Sequence, residues 1–201
     1  MKQPVGIILA GGQARRMGGG DKALLPLGGT SLLAQVAHRF SPQVAELALS
    51  ANGNAARFSS FDLPVLPDTV AGFPGPLAGI LAGLEWAAEQ GAETVVSVAV
   101  DTPFFPGNLV PHLLLATEGM LHPLALATSD DGRHPTFGLW PVALRNDLRE
   151  ALEGGLRKVV EWADAHGAAE AHFPGRDPDP FFNINRPEDL EQAERLLRKK
   201  R

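Results

Sequence analysis

Apolar residues in this chain recur in short unbroken runs that alternate with stretches of helical spacing. Val5–Leu9 is a compact apolar run closed by Gly11 and Gly12, the pattern of a strand buried on both faces. Ser31–Phe40 then places Leu32, Leu33, Val36 and Ala37 on one helical face. Ala45–Ser50 and the very short Val65–Leu66 read as further strands. Gly75–Pro76 opens a helix to about Gln90, with proline at a first-turn position where its missing N–H costs nothing. Gly79 and Gly83 share one face of that helix and permit close packing there. Thr94–Val100 is the clearest strand and ends in Asp101.

The second half continues the alternation. Leu109–Thr117 is predicted helical with Asn108 as N-cap. Pro123–Thr128 and Pro135–Trp140 read as strands joined by the polar turn Ser129–Gly132. Helices are expected near Val142–Leu152 and Leu156–His166, and weak strands at Ala169–Phe173 and Phe181–Ile184. Pro187 begins the last helix, with Glu188 and Asp189 at its start and Arg198, Lys199, Lys200 and Arg201 at its end, a polarity that suits the helix dipole. Such alternation predicts an α/β layer fold with a mostly parallel sheet, whose ligands bind beyond the carboxyl ends of the strands. Two strand ends carry chemistry: the loop after Leu9, and Asp101.

Composition narrows the class. A chain of 201 residues suits one domain, residues 1–201. With 44% hydrophobic and 20% charged residues it reads as an ordinary globular protein. A net charge of −5 argues against a general nucleic-acid surface, yet a small phosphate site needs only local cations. The absence of cysteine removes disulfides, thiolate metal sites and cysteine nucleophiles together. No apolar run is long enough to span a bilayer. The opening MKQPVGIILAGG, interrupted by Gly6 and followed by Arg15 and Arg16, reads as a strand and not a leader, so a cytoplasmic location is expected.

The stretch LAGGQARRMGGGDK, Leu9–Lys22, concentrates glycine and cationic residues after the first strand. Glycine lets a ligand approach the backbone, and arginine and lysine meet phosphate. It is not a Walker A loop, because Asp21 precedes Lys22 and Ala23 follows it. Gly18, Gly20 and Ala23 match a relaxed dinucleotide fingerprint, but too far from the strand to form its tight turn. The loop taken alone is either a phosphate site or a solvated glycine turn. Asp101 taken alone is either a metal ligand or an Asx-turn ending its strand.

The order of the residues resembles the molybdenum cofactor guanylyltransferase family, within the nucleotidyltransferases that share L-A-x-G-x(n)-R-M-G-x(n)-K. Blocks similar to the family's follow in the same order: PDTVAGFPGPLAGI, VDTPF, RHPTFGLW, GLRKVV and FFNINRPEDL. The resemblance thus covers nearly the whole chain. LAGG, where CTP-using relatives tend to carry LAAG, favours guanine, as do the HPT and N-x-N-x-P-E-D blocks. It implies a single-domain, three-layer, Rossmann-like nucleotidyltransferase fold, nucleotide-binding in its N-terminal part and molybdopterin-binding in its C-terminal part.

The implied reaction transfers GMP from GTP to the terminal phosphate of molybdopterin, releasing pyrophosphate, with Mg²⁺ (or Mn²⁺) as cofactor. By the same resemblance Arg16, Lys22 and Asp101 are catalytic, and Asp101 is the metal ligand. Leu9, Ala10, Gly11, Gly12, Lys22, Asn52, Asp68 and Asp101 contact the nucleotide. The family often has two asparagines at the end of the second strand; here Ser50 and Asn52 stand there, so only Asn52 is carried over. His134, Arg157, Lys158, Asn183 and Asn185 fall in blocks expected to meet molybdopterin. Transient contact with other molybdenum cofactor proteins is implied, and neither nucleic acid nor membrane is expected as a partner. Two rival readings are a relative using CTP or a sugar or alditol phosphate acceptor, and a nucleotide-binding module without turnover.

Overall fold

The computed structural model describes residues 2–11, 21–72, 75–175 and 177–199. The strands are β1 (Val5–Leu9), β2 (Pro26–Leu27), β3 (Thr30–Ser31), β4 (Leu47–Ser50), β5 (Val65–Leu66), β6 (Thr94–Ala99), β7 (Ala125–Ser129), β8 (Gly132–Pro141) and β9 (Ala169–His172). The helices are α1 (Leu32–Phe40), α2 (Pro76–Glu89), α3 (Leu109–Ala116), α4 (Arg145–Glu153), α5 (Val159–Ala165) and α6 (Pro187–Lys199). Seven strands form one sheet in the order β5-β4-β1-β6-β8-β7-β9. β5, β4, β1 and β6 are mutually parallel, and β8 runs antiparallel to both β6 and β7. β9 closes the far edge parallel to β7.

Alternation along the strands divides the core between two faces. Ile8, Leu49, Val96 and Leu139 pack with α1 and α3 through Val36, Phe40, Val110 and Leu113. Their neighbours Ile7, Ala48, Val95 and Trp140 pack on the other face with α2, α4 and α5. The expected three-layer α/β/α arrangement with a mostly parallel sheet is therefore the observed one. Trp86, Trp140 and Trp162 are all core residues. Gly79 explains how α2 lies so close to the sheet: a Cβ there would sit 2.5 Å from Ser50 Oγ and 2.9 Å from Leu9 Cδ2. No helix among the described residues is long and apolar enough to cross a membrane.

A smaller core sits at one end. Leu27 and Leu32 meet Phe104, Ile184 and Ala193, so α6 packs on the hairpin β2–β3. That hairpin turns through Gly28 and Gly29, both at positive φ (63° and 84°), as a two-residue turn of this kind demands. The Gly28 N–H donates to Glu194 Oε1 of α6 at 2.7 Å. α6 begins where Asp189 accepts the N–H groups of Asn185 and Arg186, each at 2.8 Å. Lys200 and Arg201 lie outside the described residues.

Several sequence expectations shift. Phe181–Ile184 joins no ladder; it is a strap, tied by the Ile184 N–H to the Asp101 carbonyl at 2.8 Å and turned at Asp179, whose side chain accepts from Phe181 N–H. Asn108 occupies the N-cap position of α3 as expected, but its side chain makes no capping bond; its amide bonds His112 Nε2 instead. Val142–Leu144 is a 3₁₀ turn that precedes α4, and α5 starts only at Val159. The strand expected at Pro135 begins at Gly132 and carries a wide bulge. Pairing with β7 passes from Leu126↔Gly138 to Ala127↔His134, so Pro135, Thr136 and Phe137 face no partner there. Proline cannot donate to a ladder, which favours a bulge at this point. Ser97 Oγ donates to the freed Thr136 carbonyl at 2.9 Å and accepts from the indole N–H of Trp140 at 2.8 Å.

Ser97 is fully buried, so its loss leaves the buried Trp140 indole N–H without this partner and removes the bond to the part-buried Thr136 carbonyl. Ser97→Ala is expected to lower stability by about 1–3 kcal/mol, as urea denaturation would measure.

Candidate active site

A cleft of about 910 Å³ opens at the carboxyl ends of β1, β4 and β6. Its floor is Leu9, Ala10 and Gly11 after β1, and Ala99, Val100 and Asp101 after β6. The start of α2, at Gly75, Pro76 and Gly79, forms one wall. A helix N-terminus there contributes positive potential and suits an anion.

Lys22 and Asp101 meet in this cleft. Lys22 Nζ donates to Asp101 Oδ2 at 2.6 Å and to Asn185 Oδ1 at 2.9 Å. The side chains are only 12% and 22% exposed, so each charge has little water and depends on the other. The second Asp101 oxygen, Oδ1, accepts a long bond of 3.3 Å from Thr102 Oγ1. Lys22 opens a short 3₁₀ turn, Lys22–Leu24, capped by Asp21 Oδ1 accepting from Ala23 N–H at 3.0 Å.

The other wall is built after β4 and β5. Asn52 and Asp68 bond twice, Asn52 Nδ2 to Asp68 Oδ2 at 2.8 Å and Asp68 N–H to Asn52 Oδ1 at 2.9 Å. The loop beyond Asp68 is held by Arg149 of α4, which bonds Thr69 Oγ1 and pairs with Glu85 of α2. Arg57 enters from the 3₁₀ segment Ala55–Phe61 and bonds Asp21, beside the Lys22 turn, and the Asn52 carbonyl of this wall. Ser50 is buried against Gly79 and lines the cleft with its hydroxyl.

Of the residues singled out by sequence, Leu9, Ala10, Gly11, Lys22, Asn52, Asp68, Asp101 and Asn183 line this one cleft. Asn185 joins it through Lys22. Gly12, Arg15 and Arg16 lie outside the described residues. His134 lines no wall; it stacks on Phe181 at 3.8 Å between centroids, with Nε2 2.8 Å from Ser129 Oγ. Arg157 donates to the carbonyls of Leu152, in the last turn of α4, and of Leu156 beyond it. Lys158 occupies the exposed N-cap position of α5. Neither of the last two lines the cleft.

Asp21, Arg57 and Thr136 line the cleft and carry no role in the sequence reading. Thr136 had a signal: Pro135 inside a strand marks a bulge, and a bulge re-aims the residues beside it. Arg57 had none, since one arginine in a polar turn reads as solvated. Among the described residues no three acidic or histidine side chains cluster as a metal cage.

The sequence profile of the family described as "MobA-like NTP transferase domain" matches residues 6–169. A molybdenum cofactor guanylyltransferase from Mesorhizobium japonicum is 55% identical over 197 residues, covering 96% of this chain and 95% of that protein. One of the same description from Cereibacter sphaeroides is 54% identical, covering 96% and 97%. Among solved structures, molybdopterin-guanine dinucleotide biosynthesis protein A from Archaeoglobus fulgidus superposes with a TM-score of 0.75 at 26% identity, covering 97% and 99%. A nucleotidyl transferase from Methanothermobacter thermautotroptrophicus shares the fold, with a TM-score of 0.77 at 17% identity and full coverage of both chains.

The half-buried position of His134 makes a prediction about pH. Desolvation pushes its pKa below the ordinary 6.5, with the Asp179 and Asp131 carboxylates opposing. The unfolded chain therefore takes up this proton first, and stability is lost as pH falls from about 6.5 through the lower folded value. His134→Gln is expected to flatten the fall in unfolding midpoint between about pH 7.5 and 5, measured against the wild type.

Proposed function

The chain belongs to the MobA-like NTP transferase family, and on that premise we propose that its cleft moves GMP from GTP onto the terminal phosphate of molybdopterin, giving molybdopterin guanine dinucleotide. The observation that carries this reading is the Lys22–Asp101 pair, 2.6 Å apart, in a cleft floored by the ends of β1 and β6. A phosphate oxygen of molybdopterin forms a bond to the α-phosphorus of GTP. The bond from that phosphorus to the bridging oxygen breaks, and pyrophosphate leaves with the electron pair. The attacking phosphate is already ionised near neutral pH, so the protein needs no strong base; its work is positioning and neutralising charge.

Each group has a task in this reading. The paired Asn52 and Asp68 present polar edges to the nucleoside. The backbone from Leu9 to Gly11 and the start of α2 let the phosphates approach closely. Lys22 supplies the cation that meets charge building on the phosphates. Asn185 aims that ammonium, and Asn183 offers its amide to the acceptor from the adjoining strap. Arg16, beyond the described residues, would add a second cation from the glycine loop.

Asp101 fits a hard divalent ion. Its carboxylate faces the cleft at the end of β6, and Mg²⁺ is typically held by one or two carboxylates plus phosphate oxygens and water. When bound, Mg²⁺ (or Mn²⁺) would neutralise negative charge on the triphosphate. The C-terminal part, including Thr136 and the strap, faces molybdopterin, and other molybdenum cofactor proteins bring or collect the pterin by transient contact in the cytoplasm.

Asp101→Ala and Lys22→Ala are each expected to lower turnover about a hundredfold or more while circular dichroism stays native. Near-normal pyrophosphate release with molybdopterin present would overturn the assignment. With Mg²⁺, GTP at about a hundred times its dissociation constant should stabilise the fold by roughly 2.7 kcal/mol in thermal unfolding. CTP and ATP at the same concentration should give smaller shifts.

A further inference from the structure

Arg57 bonds two separate segments that line the cleft, the one at Asp21 and the one at Asn52. Its Nε donates to Asp21 Oδ2 at 2.5 Å. Its Nη2 donates to the Asn52 carbonyl at 2.7 Å, and Nη1 to the Asn54 carbonyl at 2.5 Å. The guanidinium also lies 4.4 Å from the centre of the Phe58 ring, and Phe58 is buried in the core. The side chain is 29% exposed, and its planar fork is committed to three acceptors on two separate segments.

Two of the three acceptors lead directly to groups that face the nucleotide in this reading. Asp21 uses its other oxygen to cap the turn that carries Lys22, and Lys22 reaches Asp101. Asn52 uses its side chain to hold Asp68. The guanidinium therefore sets the spacing between the phosphate end of the site and the nucleoside end. A flexible ammonium could not do the same, because it lacks the rigid fork.

We propose that Arg57 is a positioning residue that, through Asp21 on one side and the Asn52 carbonyl on the other, fixes the distance between the phosphate-facing and nucleoside-facing halves of the nucleotide site. The proposal rests on the reading of this cleft as the GTP site. It differs sharply from a direct phosphate contact by Arg57 in what it says about Asp21. Asp21 lines the cleft, so if only charge mattered, removing its carboxylate would tighten the binding of a triphosphate. If Asp21 acts by holding Arg57 and the Lys22 turn, removing it weakens binding.

The test is calorimetric titration of the whole protein with GTP at fixed Mg²⁺, for the wild type, D21N, R57Q, R57K and the D21N/R57Q double variant. Unfolding midpoints verify that each variant is folded. The expected result is a loss of about tenfold in affinity for D21N and for R57Q, with the double variant no weaker than R57Q, since contacts in one chain of bonds are not additive. R57K is expected to match R57Q, because charge without the fork does not restore spacing. Affinity unchanged or improved in D21N, or restored in R57K, would overturn the proposal. Should R57Q not fold, D21N alone decides. A wild type that fails to bind GTP would end the reading of the cleft and this proposal with it; a wild type that binds while the variants match it ends only the proposal.

Discussion

One ammonium group holds three distant parts of the chain together. Lys22 bonds Asp101, 79 residues away, and Asn185, 163 residues away, in a site with little water. A carboxylate and an ammonium in such a place are costly apart and acceptable together. The contact requires the ends of β1 and β6 side by side, the turn after Asp21 folded back, and the strap before α6 laid across the sheet. Everything that places those three segments serves the same pair of charges.

The supporting devices are polar, and they are satisfied. Among the described residues, no buried side-chain nitrogen or oxygen lacks a partner. Ser97 closes the gap that the β8 bulge opens, and the bulge brings Thr136 to the cleft. Arg149 fixes the loop after Asp68, and Glu194 fixes the hairpin after Lys22. Rigidity is gained at the rim by hydrogen bonds and beneath it by apolar burial on both faces of the sheet. That division suits a reaction in which the protein positions charged groups and leaves the bond-making to phosphate chemistry.

The repeating parts of this fold were legible in the sequence because periodicity reports burial. Val5–Leu9 and Thr94–Val100 are continuous apolar runs and form the two central parallel strands. Pro76 marked the start of α2, and Asp101 stood where strand-end chemistry was expected. What stayed hidden depends on contacts far apart in the chain. Nothing local says that Asn185 bonds Lys22, that Phe181–Ile184 joins no ladder, or that Arg57 links the Asp21 and Asn52 segments. Gly28-Gly29 was a readable hairpin signal, but two-residue strands leave too little pattern to notice. His134 resembled a ligand group because of its block, whereas its ring is committed to Phe181 and its Nε2 to Ser129.

The hold of α6 on the β2–β3 hairpin carries a consequence for biogenesis. Synthesis proceeds from the N-terminus, so β1, β4 and β6 emerge and can associate early. The strap and α6 come last among the elements that build the cleft, and until they do, Lys22 has no Asn185 and the hairpin has no Glu194. A ribosome-tethered intermediate would thus own most of its sheet yet lack an aimed ammonium. The aimed ammonium is completed only with the docking of that last amphipathic helix and the strap before it.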